Sequence, residues 1–220
     1  MSLDEMFGGE PVVGFARETD RREFLRWAGL VGVGATFVAG GGLASARSAA
    51  AAVSEAAPAF GKGDVGILNY ALTLEYLEAT FYAKGLDAGL LKGRDLELVK
   101  PIRSHERQHV QAVKQAVTKL GGTPVDKPKL SFPKGTFGSA DKFLATAVQF
   151  EELGVVAYHG QITHIQHGKV LAAAASIAGV ESRHAAILEH LTGGKPFPAP
   201  IEDHKPMSYV LKKVKPFISG

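Results

Sequence analysis

One constellation of potentially reactive residues occurs twice in this chain. A Glu is followed seven residues later by a Tyr, and about a helix length downstream comes Glu-x-x-His. The first copy is Glu75, Tyr82, Glu106 and His109; the second is Glu151, Tyr158, Glu181 and His184. Glu75 precedes Glu106 by 31 residues and Glu151 precedes Glu181 by 30, so the halves share a register that points to a duplicated unit. Four carboxylates and two imidazoles at this spacing are the set with which a four-helix bundle holds two metal ions in its core. The chemistry such a set implies is dinuclear, with open coordination positions for a small oxidant.

Four helices are needed to bring these groups together, and the sequence supplies signals for four. Asp64 is a plausible N-cap for a helix to about Asp87, with Gly85 and Gly89 at its end. A second helix is expected within Asp95 to Leu120, closed by Gly121-Gly122 and Pro124, and either beginning or kinking at Pro101. The stretch from Thr123 to Gly138 holds three prolines and no helical period, and is long enough to return the chain to the other end of a bundle. Ser139 then caps a third helix to about Gln166, Gly168 breaks it, and a fourth runs from about Lys169 to Leu191 before Gly193-Gly194. The tail, residues 194–220, is Pro-rich and expected to wrap the outside, with a short turn of helix near Ser208 to Lys213.

Projected at about 100° per residue, the six ligand candidates fall on apolar stripes. Leu144, Ala147, Val148, Val155, Tyr158, Ile162 and Ile165 surround Glu151, while Leu68, Ala71, Leu72, Ala79, Tyr82 and Leu86 surround Glu75. Glu106 with His109, and Glu181 with His184, sit on similar stripes, one turn apart within each pair. Ionised carboxylates buried together cost several kcal/mol each and repel one another. Apart from Arg103 these stripes carry no Lys or Arg to offset them. Two divalent cations would match four carboxylates, with the imidazoles as neutral ligands. A lone Glu-x-x-His is most often a solvated pair, but two copies, each with a core-facing Glu upstream, are not readily explained that way.

Other polar groups are weighed by the same projection. Glu78 also points into an apolar arc and is a candidate additional ligand, second to Glu75 because its counterpart in the other copy is Gly154. Tyr82 and Tyr158 lie two turns from the Glu candidates on the same face, where they either hydrogen-bond ligand carboxylates or simply pack. Glu152, His159, His164 and His167 project away and are expected at the surface.

Composition bounds the remaining possibilities. The 220-residue chain is 45% hydrophobic, enough for one core, and its net charge of +3 is spread without the aromatic interleaving of a nucleic-acid platform. Nucleic acid is therefore not an expected partner. With no Cys, any metal must be held by oxygen and nitrogen, which suits Fe or Mn and leaves Zn as a competitor. Residues 1–48 resemble a twin-arginine signal peptide. Thr19-Asp20-Arg21-Arg22-Glu23-Phe24-Leu25-Arg26 precedes a Gly-rich, weakly apolar run, and Ala44-Ser45-Ala46 gives an A-x-A cleavage signature. The implied route is export by the twin-arginine machinery to the periplasm, cell wall or exterior, with an uncleaved N-terminal anchor as the alternative. Residues 49–62 read as a linker and 63–193 as the bundle.

Beyond the ligand set, the segment Leu68-Asn69-Tyr70-Ala71-Leu72-Thr73-Leu74-Glu75 resembles the first helix of bacterioferritin. Glu106-Arg107-Gln108-His109 with Leu120-Gly121-Gly122-Thr123-Pro124 resembles its second helix and turn. Phe150-Glu151-Glu152-Leu153-Gly154-Val155-Val156-Ala157-Tyr158 and Ala175-Ser176-Ile177-Ala178-Gly179-Val180-Glu181-Ser182-Arg183-His184 are similar to the exported ferritin-like domain family that includes desiccation-related proteins. The resemblance implies an all-α, ferritin-like four-helix bundle, two antiparallel helix pairs joined by a long crossover. It also implies a ferroxidase, peroxide-consuming or catalase-like activity on peroxide or dioxygen, with a role in stress. Cage-forming relatives end in a short fifth helix or close symmetric contacts, so the Pro-rich tail here argues against storage in a large shell. The oligomeric state, a homo-oligomer included, is left open. The alternatives are a non-catalytic stress protein whose metals only staple the bundle, and an oxygenase, which would need an apolar pocket beside the site.

Overall fold

A computed structural model of the chain describes residues 60–218. The expected twin-arginine signal and almost all of the expected linker lie outside the described residues. Within them run four long helices: α1 (Gly63–Asp87), α2 (Gly93–Lys119), α3 (Ala140–Ile162) and α4 (Gly168–Thr192). A short α5 (Met207–Val214) and a 3₁₀ turn (Lys215–Phe217) follow. The architecture is an all-α four-helix bundle. α1 pairs mainly with α2 and α3 with α4, with lighter packing of α1 on α3 and α2 on α4.

Helix ends follow local chemistry with three departures from expectation. Ser139 accepts a hydrogen bond from the Lys142 amide at 3.3 Å and caps α3, and Gly193 closes α4 in the left-handed conformation at φ 75°. Asp64, however, lies inside α1, whose N-cap is Lys62. Its carboxylate instead accepts from the amides of Gln166 and His167 at 2.8 and 2.6 Å, satisfying donors at the start of α4 across the bundle. α2 begins at Gly93 and continues through Pro101, where the first two turns have already formed. α3 ends at Ile162, and Gly168 is the first residue of α4 and not a gap between helices.

Two apolar clusters divide the interior. At one end Phe81 stacks on Phe143 with ring centroids 4.9 Å apart and meets Phe150 edge-on at 4.9 Å. At the other, Leu68, Leu72, Val113, Val117, Ile177 and Ala178 pack together. The crossover between α2 and α3 is pinned to both ends. Phe132 and Phe137 join the Phe81 cluster, with centroids 5.8 and 5.6 Å away. The buried Asn69 amide donates to the carbonyls of Phe60 and Thr123 and accepts from the Val125 amide. The tail crosses α3, where the Lys205 amide donates to the Val156 carbonyl at 3.1 Å, and α5 then packs on α3 with Met207, Val210 and Val214 buried. The fully buried Phe81 ring is the hub of its cluster. Phe81→Ala is expected to lower unfolding free energy by about 3–5 kcal/mol in denaturant titration, while Phe197→Ala at an exposed ring should leave it nearly unchanged.

Candidate metal centre

Between the two apolar clusters lies a polar layer made by one turn from each long helix. α1 contributes Glu75, α2 Glu106 and His109, α3 Glu151, and α4 Glu181 and His184. The four carboxylates have no solvent exposure, and the imidazoles are also buried. All six ligand candidates are thus brought together. Their ligand atoms form two overlapping groups, Glu75, Glu106, His109 and Glu181, and Glu106, Glu151, Glu181 and His184, with the atoms of each within 4.8 Å of one another.

The geometry has an approximate twofold repeat. His109 Nδ1 lies 3.5 Å from Glu75 Oε2, 3.4 Å from Glu106 Oε2 and 2.9 Å from Glu181 Oε1. His184 Nδ1 lies 3.2 Å from Glu151 Oε2, 3.1 Å from Glu106 Oε1 and 3.7 Å from Glu181 Oε2. Glu106 and Glu181 therefore each turn one oxygen toward either imidazole, the disposition of a bridging carboxylate. Glu75 and Glu151 each face a single imidazole. Several of these atoms, both oxygens of Glu106 and of Glu181, Glu75 Oε2 and His109 Nδ1, lack a hydrogen-bond partner despite this proximity. Buried polar atoms left unpaired cost about 1–3 kcal/mol each, more when charged. Convergence of unpaired oxygens and a ring nitrogen on one point is what a cation fills, so these buried Glu and His groups could hold metal ions.

The tyrosines complete the layer by crossing between halves. Tyr82 Oη donates to Glu151 Oε1 at 2.6 Å, and Tyr158 Oη donates to Glu75 Oε1. Burial and the neighbouring Glu151 push the Tyr82 hydroxyl well above its usual range, and burial and Glu75 do the same to Tyr158, so both remain donors. Hydrogen bonding, and not packing alone, is thus the work of both rings. Each fixes one carboxylate oxygen and leaves the other aimed at the imidazole.

Sequence reasoning missed one residue. His105 Nδ1 lies 2.8 Å from His184 Nε2, with the rings stacked at an interplanar angle of 10°. It lies at the edge of the apolar stripe of α2, one turn before His109 and about 100° from Glu106, and only the packing of α2 against α4 reveals its partner. Glu78 is buried, but it belongs to neither four-residue group. Glu152 and His159 are half-buried and His164 and His167 exposed, all outside the groups. Beside Tyr158, the residues Tyr70, Gln161 and a set of aliphatic side chains line a cavity of about 20 Å³, room for little more than one water.

A family model described as a ferritin-like domain matches residues 63–194, which is 132 of the 220 residues. The chain belongs to the ferritin-like domain family. A search of curated proteins finds no match. The buried Glu and His layer, placed mid-bundle on all four helices, fits the dinuclear ligand pattern of ferritin-like folds.

Without metal, protons must do the neutralising. Burial pushes the Glu75 carboxyl up to about 8, with His109 opposing, and burial together with Glu181 raises Glu151 well above the usual range. Burial would lower the His184 imidazole, but Glu151 and the other carboxylates facing it raise it to about 12. His109 moves in the same direction, as Glu106, Glu181 and Glu75 outweigh its burial. Glu181 goes the other way: burial opposes its charge, yet His109 and His184 hold it below the usual carboxylate range. The unfolded chain releases protons from Glu near pH 4.3 and from His near 6.5, at roughly the model-peptide values. Between pH 5 and 8 the metal-free folded state therefore holds more protons than the unfolded state, and its stability falls as pH rises. Glu181 acts only below that window. Metal binding would displace those protons, so the stabilisation it confers would grow with pH. The melting temperature of the metal-free protein is expected to fall from pH 5 to 8, while the increment on adding divalent metal rises over the same range; thermal scans with and without chelator measure both.

Proposed function

We propose that the protein is an exported dinuclear metalloprotein, binding two ions of iron or manganese, that oxidises ferrous iron or consumes peroxide in a stress-protective role. The observation that carries the reading is the pair of overlapping ligand groups sharing Glu106 and Glu181. In this reading Glu75 and His109 would hold one ion and Glu151 and His184 the other, with Glu106 and Glu181, whose oxygens face both imidazoles, available to both. When bound, the ions would supply the redox change and the open positions at which peroxide or dioxygen is taken up. The chain's own groups orient that chemistry. Tyr82 and Tyr158 hold the terminal carboxylates by one oxygen each, and the flanking apolar clusters exclude water from the layer.

A second reading has an observation of its own. The two helix hairpins pack on each other much less extensively than the helices within each hairpin do. Ions bridging Glu106 and Glu181 would staple the hairpins together, and this alone would serve a non-catalytic protein. Metal analysis followed by ferroxidase and peroxide-consumption assays separates the readings. We expect about two ions per chain, loss of both in the Glu106→Ala, Glu181→Ala double variant, and turnover only in the loaded native chain. Large metal-dependent stabilisation with no turnover would favour the staple, and less than about one ion per chain would rule out both.

Export by the twin-arginine route rests on Arg21-Arg22, the apolar run after them and the Ala44-Ser45-Ala46 signature. Replacing both arginines with lysine is expected to leave full-length protein inside the cell, where fractionation would detect it. Unchanged export of that variant would refute the route.

A further inference from the structure

The repeat that relates the two halves breaks at two places beside the centre. Residues of the first helix of each pair correspond at an offset of 76 (Glu75 with Glu151, Tyr82 with Tyr158), and those of the second at 75 (Glu106 with Glu181, His109 with His184). By the same offsets His105 corresponds to Val180, and Glu78 to Gly154. One half thus has an imidazole where the other has an isopropyl group, and a carboxylate where the other has no side chain.

Both departures serve the same cation position. An imidazole that ligates through Nδ1 carries its proton on Nε2, and for His184 that proton has His105 Nδ1 as acceptor at 2.8 Å. The ring of His184 is held with Nδ1 toward Glu106, Glu151 and Glu181. At the corresponding place behind His109 stands Val180, which offers no acceptor. Glu78, though it arises from α1 beside Glu75, reaches toward α3. A Cβ at residue 154 would stand 3.2 Å from Glu78 Oε1 and 3.4 Å from Glu181 Oε2, so the absence of a side chain at Gly154 leaves these two oxygens facing one small space. Glu181 Oε2 is the oxygen turned toward His184. Glu78 is buried and shares this space with another carboxylate, so an added cation would be favoured there.

We propose that the two cation positions are inequivalent: the one bounded by Glu106, Glu151, Glu181 and His184 fills first and more tightly, with His105 as a positioning residue behind it and Glu78 as its additional carboxylate ligand. The position at Glu75 and His109 lacks both supports and is the exchangeable one. This inference rests on the dinuclear reading above and deepens it by ordering the two positions. Partners of ligating imidazoles and carboxylates are worth about 10–100-fold in metal affinity, which sets the expected size of the difference.

The test is titration of the metal-free full chain with Co²⁺ alone, followed by visible absorption of the bound ion and by equilibrium dialysis. Two resolved steps are expected, the first tighter by about tenfold or more. His105→Phe and Glu78→Gln should each weaken the first step by about 10–100-fold and leave the second in place. His105→Asn, which keeps a hydrogen-bonding atom near the Nδ1 position, should recover most of the loss, an outcome a merely space-filling role for His105 would not give. Two equal steps in the native chain, or a first step unmoved by both His105→Phe and Glu78→Gln, would overturn the ordering while leaving the dinuclear reading intact. No uptake of Co²⁺ at all would remove the dinuclear reading itself, and the ordering with it.

Discussion

Carboxylates cannot remain together as anions inside an apolar interior unless positive charge joins them, and most of this structure is arranged around that constraint. Glu75, Glu78, Glu106, Glu151 and Glu181 are all buried in the middle of the bundle, where the imidazoles of His109 and His184 and the hydroxyls of Tyr82 and Tyr158 face the layer. The direction of the shifts at Glu75 and Glu151 shows the strain of the metal-free state: burial makes them hold protons. Bound cations would relieve the same repulsion and release those protons to solvent. The polar layer is thus open to two ways of being neutral, and a bound cation would be the one that also satisfies the unpaired oxygens of Glu106 and Glu181.

The scaffold holds this unfavourable layer in place through what lies on either side of it. The Phe81 cluster and the aliphatic cluster around Leu72 and Val117 bury enough apolar surface to keep the helices together at both ends. Rigid helices then deliver side chains in fixed relation. Glu106 and His109, or Glu181 and His184, share a face because they are one turn apart. The tyrosines act across the halves, since Tyr82 supports Glu151 and Tyr158 supports Glu75. This exchange couples the two hairpins chemically where their direct packing is light.

The repeat and its breaks have different consequences. A symmetric pair of positions would follow from the duplicated motif alone, and the paired distances from His109 and His184 follow that symmetry closely. His105 and Glu78 do not have equivalents in the other half. In a buried site, one acceptor behind an imidazole or one extra carboxylate is a large perturbation, because no solvent dilutes it.

Much of the centre could be read from residue order, for a physical reason. Helical periodicity is local, so the position of Glu75 or Glu151 on an apolar stripe follows from neighbours within two turns, and a Glu on such a stripe must face the core. The four helices and the six ligand candidates were open to this reasoning, as was the short helix in the tail. Helix ends were less so: Asp64 has the chemistry of a cap, but its carboxylate serves the start of α4, about a hundred residues away, which no local rule reveals. His105 lies at the edge of the stripe, and its contact with His184 exists only once α2 and α4 have packed. The same holds for Glu78, whose reach toward Glu181 depends on a missing side chain at Gly154 on another helix. Periodicity along one helix settled which groups face inward; which of them meet, at what distance, and with which unlike neighbour at their back was left to the packing between helices, because those contacts join residues far apart in the chain.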